Sequence, residues 1–257
     1  MYHWRWGVLL EEVPSGGATY LDWILSGLAT TVAASLAAWT LALLVGTLMG
    51  VLRTVPSRTL RAVATAYVEL FRNVPLLVQF FVWYFVVPDL LPAALGARVK
   101  ALPPFTQSFL ATWLCLGFFT GARVCEQVRA GIESLARGQR AAALALGFTL
   151  PQAYRTVLLP LSFRIILPPL TSELLNIFKN SAVASTINLL ELAAQARQLT
   201  DYTAQPYESF LTVTALYVGI NLALVALMHL LEGRVRVPGF LHGHEERDGG
   251  GAPEVAP

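Results

Sequence analysis

Apolar residues along this chain fall into runs rather than into alternations, and the runs are long. A bilayer core takes about 20 mostly apolar residues per helix, and five stretches reach that length. The first, "WILSGLATTVAASLAAWTLALLVGTLMGVL", covers Trp23 to Leu52. The second, "RAVATAYVELFRNVPLLVQFFVWYFVVP", covers Arg61 to Pro88, and Pro75 inside it predicts a kink or a join between two half-helices. The third runs from Ser108 to about Val128, the fourth from about Arg164 to Leu192 with Pro168 and Pro169 near its start, and the fifth from about Tyr207 to Leu231. The pattern is that of an all-α integral membrane protein with about five transmembrane helices, and no internal repeat stands out. The first run follows a mixed, acidic opening rather than a short basic one and is expected to be retained as a span.

Composition agrees with the pattern. Of 257 residues 55% are hydrophobic and 13% charged, and the mean hydropathy is +0.58. A net charge of +2 points away from nucleic acid as a partner and leaves the arginines as topology signals. Arg53, Arg58 and Arg61 lie after the first span, Arg137, Arg140, Arg155 and Arg164 around the chain's polar centre, and Arg234 and Arg236 after the last span. The positive-inside rule then sets the N-terminus outside and the C-terminus in the cytoplasm. Residues 1–22 form an outer N-terminal segment, 23–236 the transmembrane domain, and 237–257 a frayed, Gly- and Pro-rich tail in which His242 to His244 are expected to bind no metal. Cys115 and Cys125 share one apolar run and read as small core residues.

One polar stretch interrupts this picture, "ARGQRAAALALGFTLPQAYRTVLLP", residues 136–160. The alanines favour helix, Gly147 suits a left-handed cap, and Pro151 suits the first turn of a new helix after Thr149. The stretch therefore reads as helix, turn, helix, with Phe148 and Leu150 at the corner. Such a unit serves either as a knob for another protein's groove or as a connector packed on its own spans.

Several motifs in order resemble one family. The spacing of Ala141, Ala142, Ala143, Gly147, Val157, Leu159 and Pro160 resembles that of the cytoplasmic coupling loop of ATP-binding-cassette (ABC) importer permeases, the "EAA" loop with the pattern E-A-A, three residues, G, nine residues, I, one residue, L-P. Gly138 and Gln139 fit the lead-in, while Ala141 replaces the family's glutamate and Val157 its isoleucine. "YVELFRNVPLLVQFFVWYF", "CEQVRAGIESLARGQ" and "LPPLTSELLNIFKNSAVAST" resemble the polar amino-acid branch of these permeases, and the opening "WRWGVLLEEVPSGGATYLDWILSG" resembles its glutamate/aspartate importers. The resemblance implies the type I importer permease (MetI-like) fold and a bacterial inner-membrane location. It also implies coupling to the ATPase through Gly138, Ala141, Ala142, Ala143, Gly147, Phe148, Leu159 and Pro160. The implied partners are a second, similar permease subunit, two cytoplasmic ATPase subunits that bind the ATP, an external amino-acid-binding protein, and membrane lipid.

Ionisable groups inside spans invite a functional reading, since each costs about 2.5 to 3.5 kcal/mol to insert. Arg123 has Glu126 and Gln127 at i+3 and i+4, which allows a local pair, or it grips a substrate carboxylate. Lys179, with Asn176 and Asn180, Glu173 and Ser172, reads as a stripe on the transport pathway, the other use being interhelical hydrogen bonding. Gln79 and Asn73 are weaker pathway candidates. Glu69 and Arg72, spaced i, i+3, are read as a structural or gating pair. No "GxxxxGK[ST]" loop occurs, so no cofactor is expected in this chain and the energy for transport comes from partners. The reading from a different class is an ion- or proton-driven carrier with Lys179, Glu173 and Arg123 as its relay, while neither an enzymatic nucleophile with its base nor a metal cluster is evident.

Overall fold

Small residues rather than large ones decide how this chain packs. Helix α1 (Tyr20–Thr54) buries Gly27, Thr31, Ala34, Ser35, Ala38, Ala42, Gly46 and Gly50 along one face and exposes Leu25, Leu36, Leu44 and Leu48 on the other. That inversion of the soluble rule is what a bilayer dictates: lipid tails reward leucine as well as a core does, so helices associate by close van der Waals approach through small side chains. The computed structural model describes residues 2–135 and 137–235, and among them every regular element is helical. Ala136 at the head of the central stretch, Arg236 and the tail 237–257 with its histidines lie outside the described residues.

The remaining helices are α2 (Arg58–Asn73), α3 (Leu76–Phe81), α4 (Val87–Leu90), α5 (Ala93–Lys100), α6 (Pro104–Glu133), α7 (Arg137–Ala145), α8 (Leu150–Ala153), α9 (Leu159–Asn180), α10 (Leu192–Thr203) and α11 (Pro206–Val235). Single π turns at Val82–Val86 and Tyr154–Leu158 join α3 to α4 and α8 to α9. Among the described residues four stretches are long and apolar enough to cross a membrane: Tyr20–Thr54, Pro104–Glu133, Leu150–Ile187 and Pro206–Arg234. The fifth expected span is divided. Helices α2 and α3 meet at 104°, because Val74 and Pro75 are extended and Pro75 has no N–H to continue the ladder. Gln79 repairs the break by donating from Nε2 to the carbonyls of Phe71 and Val74, both at 2.9 Å.

The fourth span also differs from its expected bounds. It starts well before Arg164, and Pro168 and Pro169 stand inside α9 rather than near its start. The sequence reading missed α10, which begins at Glu191: this buried carboxylate caps it by accepting from the backbone N–H groups of Ala193 (2.9 Å) and Ala194 (2.7 Å) and from the Tyr217 hydroxyl (2.9 Å). Burial pushes the Glu191 carboxyl up from its ordinary pKa, against the opposing pull of those donors.

α6 is the central post. It packs along α1 on one side and against α9 on another, while α10 bridges α1 and α11. At Gly46 an added Cβ would lie 2.6 Å from the Val124 side chain and 2.7 Å from the Gly121 carbonyl oxygen, and at Gly50 it would lie 2.7 Å from Val128. Polar bolts add to the packing on α6: Trp113 Nε1 donates to the Ala37 carbonyl of α1 at 3.0 Å, and the Tyr67 hydroxyl of α2 donates to the Phe118 carbonyl at 2.7 Å. The N-terminal segment folds back on the bundle, with Val8 and Val13 buried beside Leu199 and Val213, and Arg5 N donating to Glu208.

The close approach sets the first prediction. Gly46→Ala forces α1 and α6 apart and is expected to destabilise the bundle by about 1 to 3 kcal/mol, the cost of overpacking, whereas Leu48→Ala on the exposed face of α1 costs far less. Thermal unfolding in detergent measures both; equal midpoints for the two variants would remove the glycine contact as the organising feature.

Candidate functional site

Two regions carry chemistry or shape beyond packing. The first is the central stretch, which folds as the local sequence dictates. Helix α7 ends in a Schellman motif, with Gly147 in the left-handed region at φ +87°, Phe148 N donating to the Ala143 carbonyl at 3.2 Å and Gly147 N to that of Leu144 at 3.0 Å. Thr149 then starts α8, its N–H held by Gln152 Oε1 at 2.8 Å. Ala143 is buried against the protein, and Ala141, Ala142, Leu146, Gly147 and Phe148 are exposed, with Leu146 79% accessible. Gly138 is exposed too, and Leu159 and Pro160 form the first turn of α9. The result is a projecting corner with apolar side chains turned away from the bundle.

The second region lies along α6. Glu126 is its hub: Arg53 pairs closely with Oε1, Arg129 Nε donates to Oε2 at 3.0 Å, and Arg72 Nη1 stands 3.8 Å from Oε1. Arg129 also reaches Glu133, at i+4. With Glu126 so occupied, Arg123 does not make the local pair allowed by its spacing. It faces α9, where its Nη1 is 3.9 Å from Glu173 Oε2, and its guanidinium carbon lies 5.1 Å from the centre of the Phe119 ring. Arg72, Phe119, Arg123, Glu126, Gln127 and Glu173 enclose a cavity of about 300 Å³. Glu173 is 9% exposed, and its Oε2 has no hydrogen-bond partner among the described residues; at 3.9 Å the arginine is too far to supply one.

Other candidates fall elsewhere. Glu69 and Arg72 do not pair: Glu69 accepts from Asn73 Nδ2 at 2.8 Å, the i+4 partner having taken it, and Arg72 turns to Glu126. Gln79 is buried with its amide committed to the bend after Pro75, so it holds the backbone rather than facing the cavity. Lys179 is exposed and lines a different, largely apolar groove with Ala182, Tyr217 and Asn221, while Asn176 and Asn180 are half-buried on α9. Lys179 and Glu173 are six residues apart on one helix, which turns their side chains about 120° from one another. The stripe read from spacing is therefore split. Arg53, read only as a topology charge, and Arg129, passed over, belong to the hub; the sequence signal for Arg129 is the ladder of charge at 123, 126, 129 and 133, and Arg53 has none.

Comparison with known proteins fits this architecture. Residues 42–237 match the family model described as "Binding-protein-dependent transport system inner membrane component". The chain is 57% identical over 241 residues to the glutamate/aspartate import permease protein GltJ of Escherichia coli (strain K12), covering 93% of this chain and 98% of that one. It is 28% identical over 234 residues to the glutamate/aspartate import permease protein GltK of Escherichia coli O6:H1, covering 91% and 99%. Among solved structures, an amino acid ABC transporter crystallised with histidines superposes with a TM-score of 0.68 at 30% identity, over 84% of this chain and 95% of that one. A family model spanning most of the chain, helices fit to cross a membrane and the exposed glycine-capped corner agree: this chain belongs to the inner-membrane permease components of binding-protein-dependent ABC transport systems.

Proposed function

We propose that this chain forms the translocation pathway of an importer for glutamate and aspartate. The observation that carries the reading is its 57% identity to GltJ along nearly the whole of both chains. The cavity on α6 supplies a chemistry suited to such a cargo. Arg72 and Arg123 offer two guanidinium groups for the carboxylates, and the unpartnered Glu173 oxygen an acceptor for the α-ammonium group. A guanidinium is the fitting donor here, because its planar fork meets a carboxylate with two parallel hydrogen bonds.

The same reading assigns the rest of the assembly. A second permease of the same kind completes the pathway, as similarity to both GltJ and GltK suggests. An external binding protein delivers the amino acid. Two cytoplasmic ATPases bind ATP, since this chain has no phosphate loop of its own. The corner from α7 to α8 is the contact with those ATPases, its exposed Leu146 and Phe148 entering a groove. The N-terminus is then outside and the corner cytoplasmic, in keeping with the arginines at that end.

Two measurements test this. In proteoliposomes with the full assembly, Arg123→Gln is expected to lower aspartate uptake by about 10- to 150-fold, the equivalent of a charged hydrogen bond of roughly 1.5 to 3 kcal/mol. Assembly and ATP hydrolysis should survive, and aspartate alone, not arginine or glutamine, should compete with glutamate. Unchanged uptake would remove Arg123 from the pathway. Gly147→Val places a β-branched residue at φ +87°, a strain of about 1 to 3 kcal/mol. It should leave membrane insertion intact while abolishing the stimulation of ATP hydrolysis by loaded binding protein; normal stimulation would refute the corner as the coupling element.

A further inference from the structure

A second cavity, of about 480 Å³, opens at the end of the bundle where α1 stops and the corner begins. Arg53, Arg61, Arg129 and Arg140 line it, against a single lining carboxylate, Glu133. Two of these arginines are spent: Arg53 on Glu126, and Arg129 on Glu126 and Glu133. Among the described residues Arg61 reaches only the Val55 carbonyl, at 3.3 Å, and Arg140 has no acidic partner. The cavity therefore holds an excess of positive charge at a membrane boundary, with two guanidinium groups still able to take an anion.

The neighbouring surface says which anion. Helices α1 and α9 run antiparallel here, with Thr54 Oγ1 3.0 Å from the Tyr154 hydroxyl at the mouth of the cavity. Directly inward along the same seam, Leu43, Leu44, Thr47, Leu48, Val51, Leu159 and Phe163 form a groove of about 510 Å³ that is almost wholly apolar. Val51 lines the groove and Thr54, at i+3 on the same helix, the basic cavity, so the one follows the other along α1. From Leu43 to Val51 the groove runs about 12 Å along the helix axis, and Leu44 and Leu48 on its rim are 67% and 56% exposed. A basic pocket at the interface, continued by an apolar channel pointing into the membrane, has the polarity of one kind of molecule.

We propose that this seam is a binding site for an anionic phospholipid, its phosphate held by Arg61 and Arg140 and one acyl chain lying along α1 between Leu43 and Val51. Charge complementarity selects the headgroup: a phosphodiester with a net negative charge satisfies the two free guanidinium groups, while a zwitterionic headgroup brings a cation into a pocket already rich in them. The acyl groove lies on the exposed side of α1, the headgroup pocket shares no lining residue with the cavity around Arg123 and Glu173, and the site does not depend on which amino acid is carried. Because Arg140 belongs to α7, a lipid there ties the position of the corner to the composition of the leaflet.

Native mass spectrometry of the detergent-purified importer tests this, with phosphatidylglycerol, phosphatidylcholine and inorganic phosphate titrated separately. We expect one phosphatidylglycerol retained per copy of this chain at concentrations where phosphatidylcholine is lost. The double variant Arg61→Gln, Arg140→Gln should weaken retention at least tenfold. Leu48→Trp, which fills the groove and leaves every arginine in place, should weaken it comparably. Equal retention of the two lipids, or retention unaffected by both variants, would overturn the site. Displacement of the lipid by inorganic phosphate with Leu48→Trp neutral would make it a simple anion pocket and overturn the acyl groove. Loss of the ATPase subunits in the arginine variant with lipid retention unchanged would make it a protein contact instead.

Discussion

The approach of α1 to α6 through Gly46, Gly50 and Gly121 is the constraint on which the other features rest. In water two helices are driven together by burying apolar surface, but in a bilayer that surface is already content, and only contact distance and hydrogen bonding distinguish one arrangement from another. A Cβ at Gly46 would meet Val124 and a backbone carbonyl within 2.7 Å, so the two backbones pass as near as the residue type allows. That proximity brings Arg53, at the end of α1, onto Glu126 of α6, and it lets Tyr67 of α2 lie over Gly121, where an added Cβ would be 2.7 Å from its hydroxyl. The charged hub is a consequence of glycine positions within about two turns of it.

Glu126 in turn decides what Arg123 can do. A carboxylate beside two guanidinium groups has little left for a third, and the consequence is an arginine whose neighbour across the cavity, Glu173, stands at 3.9 Å with a buried oxygen unserved. Leaving such an oxygen without a donor costs about 1 to 3 kcal/mol, and more when it is charged. Proteins retain such costs where a ligand relieves them, and this is the physical content of the proposed ammonium site.

Local features of the fold were legible in the sequence and non-local ones were not. The spans follow from run length, and the corner follows from alanines, Gly147, Thr149 and Pro151 acting on their immediate neighbours; the Schellman bonds at Gly147 and the hold of Gln152 on Thr149 lie where those residues predict them. Pro75 announced a break, but not its 104° angle, which depends on Gln79 reaching back to Phe71. Partners of the charged groups were left open or missed for one reason. Spacing along α6 offers Glu126 to Arg123, and nothing in that spacing says that Arg53, seventy-three residues away, arrives first. Glu191 was missed although two of its donors, the N–H groups of Ala193 and Ala194, are local; only the Tyr217 hydroxyl, twenty-six residues on, lies beyond what its neighbours show.

The two functional regions are joined by one element. From Leu150 the chain passes through α8, the π turn Tyr154–Leu158 and α9 without leaving the helical state, and Glu173 lies on that same rod. Between Ala153 and Glu173 the rod is roughly 30 Å long. Tyr154 and Leu158 are buried at its base beside Ile132 and Leu135, so the base is packed against the end of α6. Under the proposed coupling, a force applied at the corner reaches Glu173 along a packed helix, while Arg123 stays with α6 and the glycine-locked α1. Relative movement of the two posts then changes the gap between the carboxylate and the guanidinium. A gap of 3.9 Å is well placed for such a mechanism: a shift of about 1 Å closes it into a charged hydrogen bond of about 2.9 Å and a similar shift the other way opens it to water. The local ion pair that spacing allowed, within a single turn of α6, could report no such motion, because both of its members would have moved together.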